Sequence, residues 1–289
     1  MHANQMSASD EARKKQGERW MLKRMATRGL AVMLAVAAWA GVAESRTLDE
    51  IIKAGVIRIG INPNFPPNSS YNDKNELEGF DIDVGNEIAE ALKLQVEWVP
   101  TETPQRVPFI VSDKIDISLG ALTRSSERAK LITYTVPLHT EVMAVLTTDK
   151  AGITDWKQLD DAKFTLANMR GNWSVDFLKG ELPNAKVELV DTIADTVRLV
   201  GQGRADAIVE NIDFFMKFTK NYPDVKWVVL PDPIDVGYCA IGLQQGNYPL
   251  RDTLNIVLYG LHSSNFVNET WEKWYGAPML VKVVPNPYF

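Results

Sequence analysis

Two periods of apolar residues alternate along the chain. "VIRIGIN", from Val56, carries an apolar residue at every second position and predicts a strand. Before it, "TLDEIIKAG" predicts a short helix, with Thr47 as its cap, Glu50 at the capping-box position and Gly55 as its end. After it, "NPNFPPNSSYNDKNELEG" predicts a turn-rich loop. "GFDIDVGNEIAEALKL" then spaces Ile82, Ile88, Ala89 and Leu92 for one helix face. "QVEWV" predicts a second strand, "QRVPFIVSD" a helix around its proline and "KIDISLGAL" a third strand. The pattern then restarts. "EVMAVLTT", "KFTLANM", "KVELV" and "ADAIVE" predict strands; "DWKQLDD", "SVDFLKGEL", "TIADTVRLVGQG" and "IDFFMKFTKN" predict helices. "VGYCAIGLQ" is a last strand, followed by helices over "YPLRDTLNIVLYGLHSS" and "FVNETWEKWYG". Two successive α/β blocks predict parallel pairing with helical crossovers, and leave a C-terminal segment that must dock somewhere. Ligands of open α/β sheets bind beyond the carboxyl ends of strands, so the loops there are the ones to search.

Composition narrows the classes. The 289 residues allow one large domain or two smaller ones, and 45% hydrophobic content supplies real cores. A formal net charge of −6 argues against a nucleic-acid binder. There is no internal repeat and no low-complexity segment. "MLKRMATR" followed by "GLAVMLAVAAWAGVA" reads as the basic and apolar regions of a signal peptide, the run being short for a membrane span. Cleavage after Ala40 or after Ala43 is compatible with the small residues there, and Ala43 is preferred. Residues 1–43 are therefore set aside as N-terminal extension and signal peptide, and the destination is the periplasm. The single cysteine, Cys239, can form no internal disulfide, and none at the cleavage region would carry a lipid.

The candidate chemistry begins at "GALTRSSERAKL". Ser125 and Ser126 suit a helix cap and Glu127 a first turn, yet Arg128 sits in that same turn. A cation there opposes the positive end of the helix dipole unless an anion joins it. A planar guanidinium grips a carboxylate through two parallel hydrogen bonds. The bland alternative is a surface ion pair of Arg128 with Glu127 or Asp113.

In order and spacing, "GVIRIGINPNFPP", "LEGFDIDVGNEIAEAL", "KIDISLGALTRSSERAKLITYTVPL", "GQGRADAI" and "WEKWYG" resemble the family 3 extracellular solute-binding proteins, periplasmic receptors of amino-acid ABC transporters. The resemblance spans about Thr47 to Gly276. It implies a two-lobed α/β fold of the type II periplasmic-binding-protein class, with two hinge crossovers. Carried over, lobe 1 is 47–138 plus 237–289, lobe 2 is 142–236, and the crossings fall near His139–Glu141 and Asp235–Gly237. It implies that Arg128 clamps a ligand carboxylate, helped by Thr123 and by backbone N–H groups around Ala121 and Thr123. Phe65 matches an aromatic that stacks on the ligand; otherwise it is a core ring. Where members carry a second aromatic, this chain has Asn68. "NMRGNWSVDF" matches the lobe 2 loop before a helix, with Asn172 and Trp173 in place of small hydroxyl residues; Trp173 either walls the cleft or packs into lobe 2. The ammonium-binding aspartate falls on Asn211, which offers no charge. Glu210 beside it could supply one if the strand end twists. Asp206 is expected to be structural.

The resemblance implies binding rather than catalysis: a small carboxylate-bearing, amino-acid-like solute handed to an ABC permease. A monomer is expected, with no cofactor, no metal and no catalytic residue. Of three histidines, His139 is read as a hinge-surface residue without a role. Two alternatives stay open. One is a cyclohexadienyl or arogenate dehydratase-like enzyme on the same fold, with Glu210 as general acid. The other is a ligand-sensing partner of a membrane receptor.

Overall fold

The computed structural model describes residues 46–211 and 218–286. The extension, the signal peptide and most of the helix expected at "IDFFMKFTKN" lie outside them. Among the described residues twelve strands are arranged in two sheets. In chain order β1 is Val56–Ile61, β2 Asn64–Phe65, β3 Ser69–Tyr71, β4 Leu77–Glu78, β5 Gln95–Pro100 and β6 Ile117–Ser118. They continue with β7 Ile132–Thr148, β8 Thr165–Met169, β9 Lys186–Val190, β10 Ala207–Asn211, β11 Trp227–Val229 and β12 Asp235–Gln244. The α-helices are α1 Leu48–Ala54, α2 Phe80–Leu92, α3 Arg106–Val111, α4 Ser126–Ala129, α5 Trp173–Glu181, α6 Ile193–Gly201, α7 Tyr248–Ser263 and α8 Phe266–Tyr275. "DWKQLDD" forms one 3₁₀ turn at Trp156–Leu159. The fold is the two-lobed α/β class expected.

Local signals act as the sequence reads. Thr47 and Glu50 close a capping box on α1, and Gly55 ends it in the left-handed region at φ 68°. Three departures have physical reasons. The loop after β1 contains β2, β3 and β4, which pair with one another as a small antiparallel sheet. Its strands of two or three residues are too short to show a period. The third strand shrinks to Ile117–Ser118, because the chain then turns through left-handed Gly120 and Ala121. And β7 runs unbroken for 17 residues, through Pro137, which reads as a breaker.

Pro137 is accommodated by its partner. Along β12 the register with β7 slips between Cys239 and Ala240 and again before Gly242. A proline has no N–H for the ladder, and a bulge opposite absorbs the gap. The freed Ala240 N–H turns to the Leu122 carbonyl at 3.1 Å, and the Ile241 N–H to Thr135 Oγ1 at 3.1 Å. The chain at 119–124 is thereby drawn onto β12.

The main sheet has the order β5-β1-β6-β12-β7-β10-β8-β9, with β11 also on β7. β5, β1 and β6 are parallel, as are β10, β8 and β9; β7 and β12 run antiparallel to each other and to the strands they join. One core packs Ile57, Ile59, Phe80, Ile88, Leu254 and Trp271. Others pack Met143, Val145, Leu166 and Leu178, and Val197 with Ile208. β7 and β12 pass between these lobes side by side, pairing His139 with Cys239, Glu141 with Gly237 and Met143 with Asp235. From Leu138 to Thr147 β7 is buried on both faces.

Candidate functional site

The residues that converge between the lobes are placed by backbone first. The Gly120–Thr123 turn is held from two sides. The Gly120 N–H donates to Asp81 Oδ2 of α2 at 3.0 Å. Arg106 of α3 donates through Nη1 to the carbonyls of Gly120 and of Ala121, the latter at 3.0 Å, and through Nε to Thr103. Thr123 then bridges to Cys239, and the Arg124 N–H reaches the Tyr238 carbonyl at 2.9 Å. This fixes Thr123, only 1% exposed, against the middle of β12.

Arg128 starts from this platform. Ser125 caps α4, accepting from the Arg128 N–H. The Arg128 guanidinium donates Nη1 to the Thr123 carbonyl at 2.9 Å and Nη2 to the Gly171 carbonyl at 3.0 Å, one in each lobe. The surface ion-pair alternatives are both taken elsewhere: Glu127 pairs with Lys130, and Asp113 with Arg58. Among the described residues Arg128 has no ion pair. The Thr123 N–H, expected as a ligand donor, is spent on the Ala121 carbonyl at 3.0 Å.

The second lobe brings its loop close. Gly171 has φ +75°, and a Cβ there would lie 2.8 Å from Pro104 Cα of the first lobe. Asn172 caps α5, accepting from the Trp173 N–H at 2.8 Å, and its amide donates to Glu210 Oε2. The Ser174 hydroxyl reaches the same oxygen at 3.2 Å, and Glu210 Oε1 accepts from the Asn211 N–H at 3.0 Å. Both Glu210 oxygens thus have protein donors behind the α5 start. Trp173 packs into the second-lobe core, and its ring edge also lies against Gly237, where a Cβ would sit 2.9 Å from it. Its buried Nε1 has no hydrogen-bond partner. Trp173 therefore serves both readings, core filler and wall. Phe65 is 4% exposed and packs with Ala121, Met169, Ile193 and Cys239, a cluster drawn from both lobes. Asn68 is turned into its own lobe, where Oδ1 accepts from the Tyr275 hydroxyl at 2.8 Å. Asp206 is structural as expected: Oδ2 accepts from the Thr165 N–H at 2.7 Å.

Four residues at the centre were not singled out by pattern. Arg106 is 3% exposed and, among the described residues, forms no ion pair. Burial, then the nearby Arg128, pulls its pKa down to about 10, so it stays charged at neutral pH. Glu141 is 3% exposed; Oε2 lies 3.5 Å from Thr123 Oγ1, while the buried Oε1 has no hydrogen-bond partner. Burial raises the Glu141 pKa to about 7, with Cys239, Arg106 and Asn211 pulling the other way. Burial first and Glu141 second lift Glu210 to about 8, and burial lifts Asp81 to about 7. Cys239 is a buried thiol that donates to Thr123 Oγ1 at 3.7 Å.

His139 is corrected: it is not on the surface but 1% exposed, wedged edge-on to Phe80 and tilted against Trp271. Burial drives its pKa down to about 4, which leaves it neutral. His139, Glu141 and Cys239 converge within 4.8 Å and are, among the described residues, the one group with metal-ligand chemistry. His139 Nδ1 is engaged 3.3 Å from the Thr140 carbonyl and the ring is enclosed by aromatics. The trio packs as a buried wall of the site.

Two guanidiniums, Arg106 and Arg128, hold carbonyls of the Gly120–Thr123 turn, and two buried carboxyl groups, Asp81 and Glu141, lie against its Gly120 N–H and its Thr123 hydroxyl. Similarities to known proteins bear on what such a site takes. The chain is 27% identical over 232 residues to an L-arginine-binding protein of Pseudomonas aeruginosa, covering 76% of this chain and 87% of that one. It is 24% identical over 230 residues to a probable amino-acid ABC transporter-binding protein of Haemophilus influenzae, covering 79% and 88%. Among solved structures, an ancestral amino acid-binding protein, described as a precursor of cyclohexadienyl dehydratase, superposes with TM-score 0.72 at 28% identity, over 79% of this chain and 99% of that one. A family profile matches residues 57–277. The chain belongs to the bacterial extracellular solute-binding proteins, family 3.

Proposed function

We propose that this protein is the receptor of an ABC transporter for an amino acid or amino-acid-like acid, capturing the solute's carboxylate on Arg128 and delivering it, lobes closed, to a membrane permease. The lobes are taken as 47–138 plus 237–289 and 142–236, with β7 and β12 as the hinge. The chain is read as exported, cleaved near Ala43 and monomeric. One observation carries the reading. Arg128 spans the two lobes through carbonyls of Thr123 and Gly171 yet has no carboxylate among the described residues. A guanidinium so held is directed rather than solvated, and a bound carboxylate supplies its missing counter-charge while tying the lobes together. Mass spectrometry of solute co-purified with natively exported protein identifies the ligand. Calorimetry across the L-amino acids then tests it, and a ligand without any carboxylate would sink the clamp.

A dehydratase reading draws on the relative described as a precursor of cyclohexadienyl dehydratase and on buried acids with pKa values near 7 and 8. Elimination from prephenate or arogenate needs a proton donor at the leaving hydroxyl. Glu210, the general acid of the dehydratase alternative, has both oxygens occupied. Steady turnover of either acid by the purified protein would favour this second reading.

A further inference from the structure

We propose that Glu141, on the hinge strand β7, forms the ammonium subsite of this cleft and takes the primary ammonium group of an amino-acid solute. The inference rests on the receptor reading above. An α-amino acid carries its ammonium two bonds from its carboxylate carbon, so a site that holds one must meet the other a few ångströms away. In a buried cleft an ammonium left without a counter-charge is expensive. Asn211 presents an amide with no charge.

The buried acids of the site differ in what their oxygens already do. Glu210 is bonded by Asn172, Ser174 and the Asn211 N–H. Asp81 Oδ2 holds the Gly120 N–H on the far side of the turn, next to α2. Asp81 and Glu141 each keep one buried oxygen without a hydrogen-bond partner, but it is Glu141 that lies on the strand joining the lobes, beside the Thr123 side chain. Its Oε1 is buried without a partner, and its Oε2 lies 3.5 Å from the hydroxyl of Thr123, whose carbonyl holds Arg128. Across β12 Glu141 pairs with Gly237, whose missing side chain leaves room for the Thr123 methyl and the Trp173 ring to pack close beside it. Thr123 therefore sits between the guanidinium that suits a carboxylate and the carboxylate that suits an ammonium. Because Glu141 lies where the lobes join, the subsite is present whether they are open or closed. Arg128 completes its contacts only when Gly171 approaches.

The test uses full mature protein and two probes. One is the L-amino acid that wild type binds most tightly in a calorimetric panel; the other is its des-amino acid, the same molecule with hydrogen replacing the ammonium. Glu141→Gln is expected to weaken the amino acid on the order of 100-fold, while the des-amino acid is held as tightly as before or more tightly. Glu141→Asp, which keeps the charge, is expected to lose less. Moving the charge across the site, in Glu141→Gln with Asn211→Asp, is expected to recover most of the affinity. Retained des-amino binding reports that each variant is folded. Equal amino-acid binding by wild type and Glu141→Gln would overturn the proposal. Wild type that binds des-amino acids but no amino acid would overturn it and leave the carboxylate clamp standing. Wild type that binds neither overturns both.

Discussion

The two loops that face each other across the cleft are built alike and behave differently. Each follows a strand, turns through a left-handed glycine, Gly120 or Gly171, and enters a helix capped by a polar side chain, Ser125 or Asn172. In the second-lobe loop the polar groups close on one carboxyl, Asn172, Ser174 and the Asn211 N–H converging on Glu210, while the buried Trp173 Nε1 is left without a hydrogen-bond partner. In the first-lobe loop they do not. Arg128 and Arg106 bond only carbonyls, and Glu141 behind them keeps an empty oxygen. Closed hydrogen-bond circuits are what stability selects, because a buried polar group without a partner is costly. An open circuit held in place by closed ones marks where a ligand completes it.

Removing the open circuit is expected to have the largest effect. Arg128→Ala deletes charged hydrogen bonds worth about 2–3 kcal/mol. It is expected to weaken any carboxylate ligand about 100-fold in calorimetry with little loss of melting temperature, since its side chain caps nothing. Undiminished affinity would move the clamp to Arg106.

The second-lobe loop is expected to matter through closure rather than contact. Gly171→Ala places a side chain at φ +75°, 2.8 Å from Pro104 Cα. The Pro104 clash falls on the closed form, because Pro104 belongs to the other lobe, while the left-handed φ strains open and closed forms alike by about 1 kcal/mol. Affinity is expected to drop without a matching loss of unfolding free energy. Small-angle scattering with saturating ligand is expected to show a more open average than wild type. Equal losses in affinity and stability would make Gly171 a folding residue.

A smaller effect follows from the charge on Glu141. The group is faced by Arg106, Cys239, Asn211, Asp81 and Glu210, and burial sets its pKa at about 7 without ligand. An ammonium favours the ionised form, so binding releases a proton. Affinity for an amino acid is then expected to rise about tenfold from pH 6 to pH 8. The des-amino acid should show no such rise. A flat profile for both would leave Glu141 out of the site.

Local chemistry was legible and burial was not. The capping box at Thr47 and Glu50, the Ser125 cap, the span of α2 and the structural duty of Asp206 all follow from a few adjacent residues, and all appear. Arg128 could be read because its place in a first turn is a local conflict. Arg106 shows no such conflict: "QRVPF" reads as an ordinary helix start, and the arginine is buried under Gly120 and Ala121, a turn separated from it by more than a strand of sequence. Glu141 and His139 lie in a strand whose proline hid its length, and both faces of that strand are covered by elements distant in sequence. Alternation shows which residues share a face. It does not show that both faces are buried.

The last comparison concerns Glu210 itself, where affinity and stability should part in the opposite sense from Arg128. Its folded pKa of about 8 stands above the model-peptide value near 4.5, so between those values the native state holds a proton that the unfolded chain has lost. Stability then falls as pH rises through that window, and the loss is complete above the folded value. Glu210→Gln mimics the protonated carboxyl and still accepts through its carbonyl oxygen, but cannot ionise. In urea unfolding it is expected to match wild type near pH 5 and to be the more stable of the two at pH 8. Solute affinity is expected to stay within about threefold, because no free oxygen is lost. If Glu210→Gln instead weakened an amino acid as strongly as Glu141→Gln while leaving the pH profile of stability unchanged, the closed circuit would be the binding one, and the roles of the two acids would be exchanged.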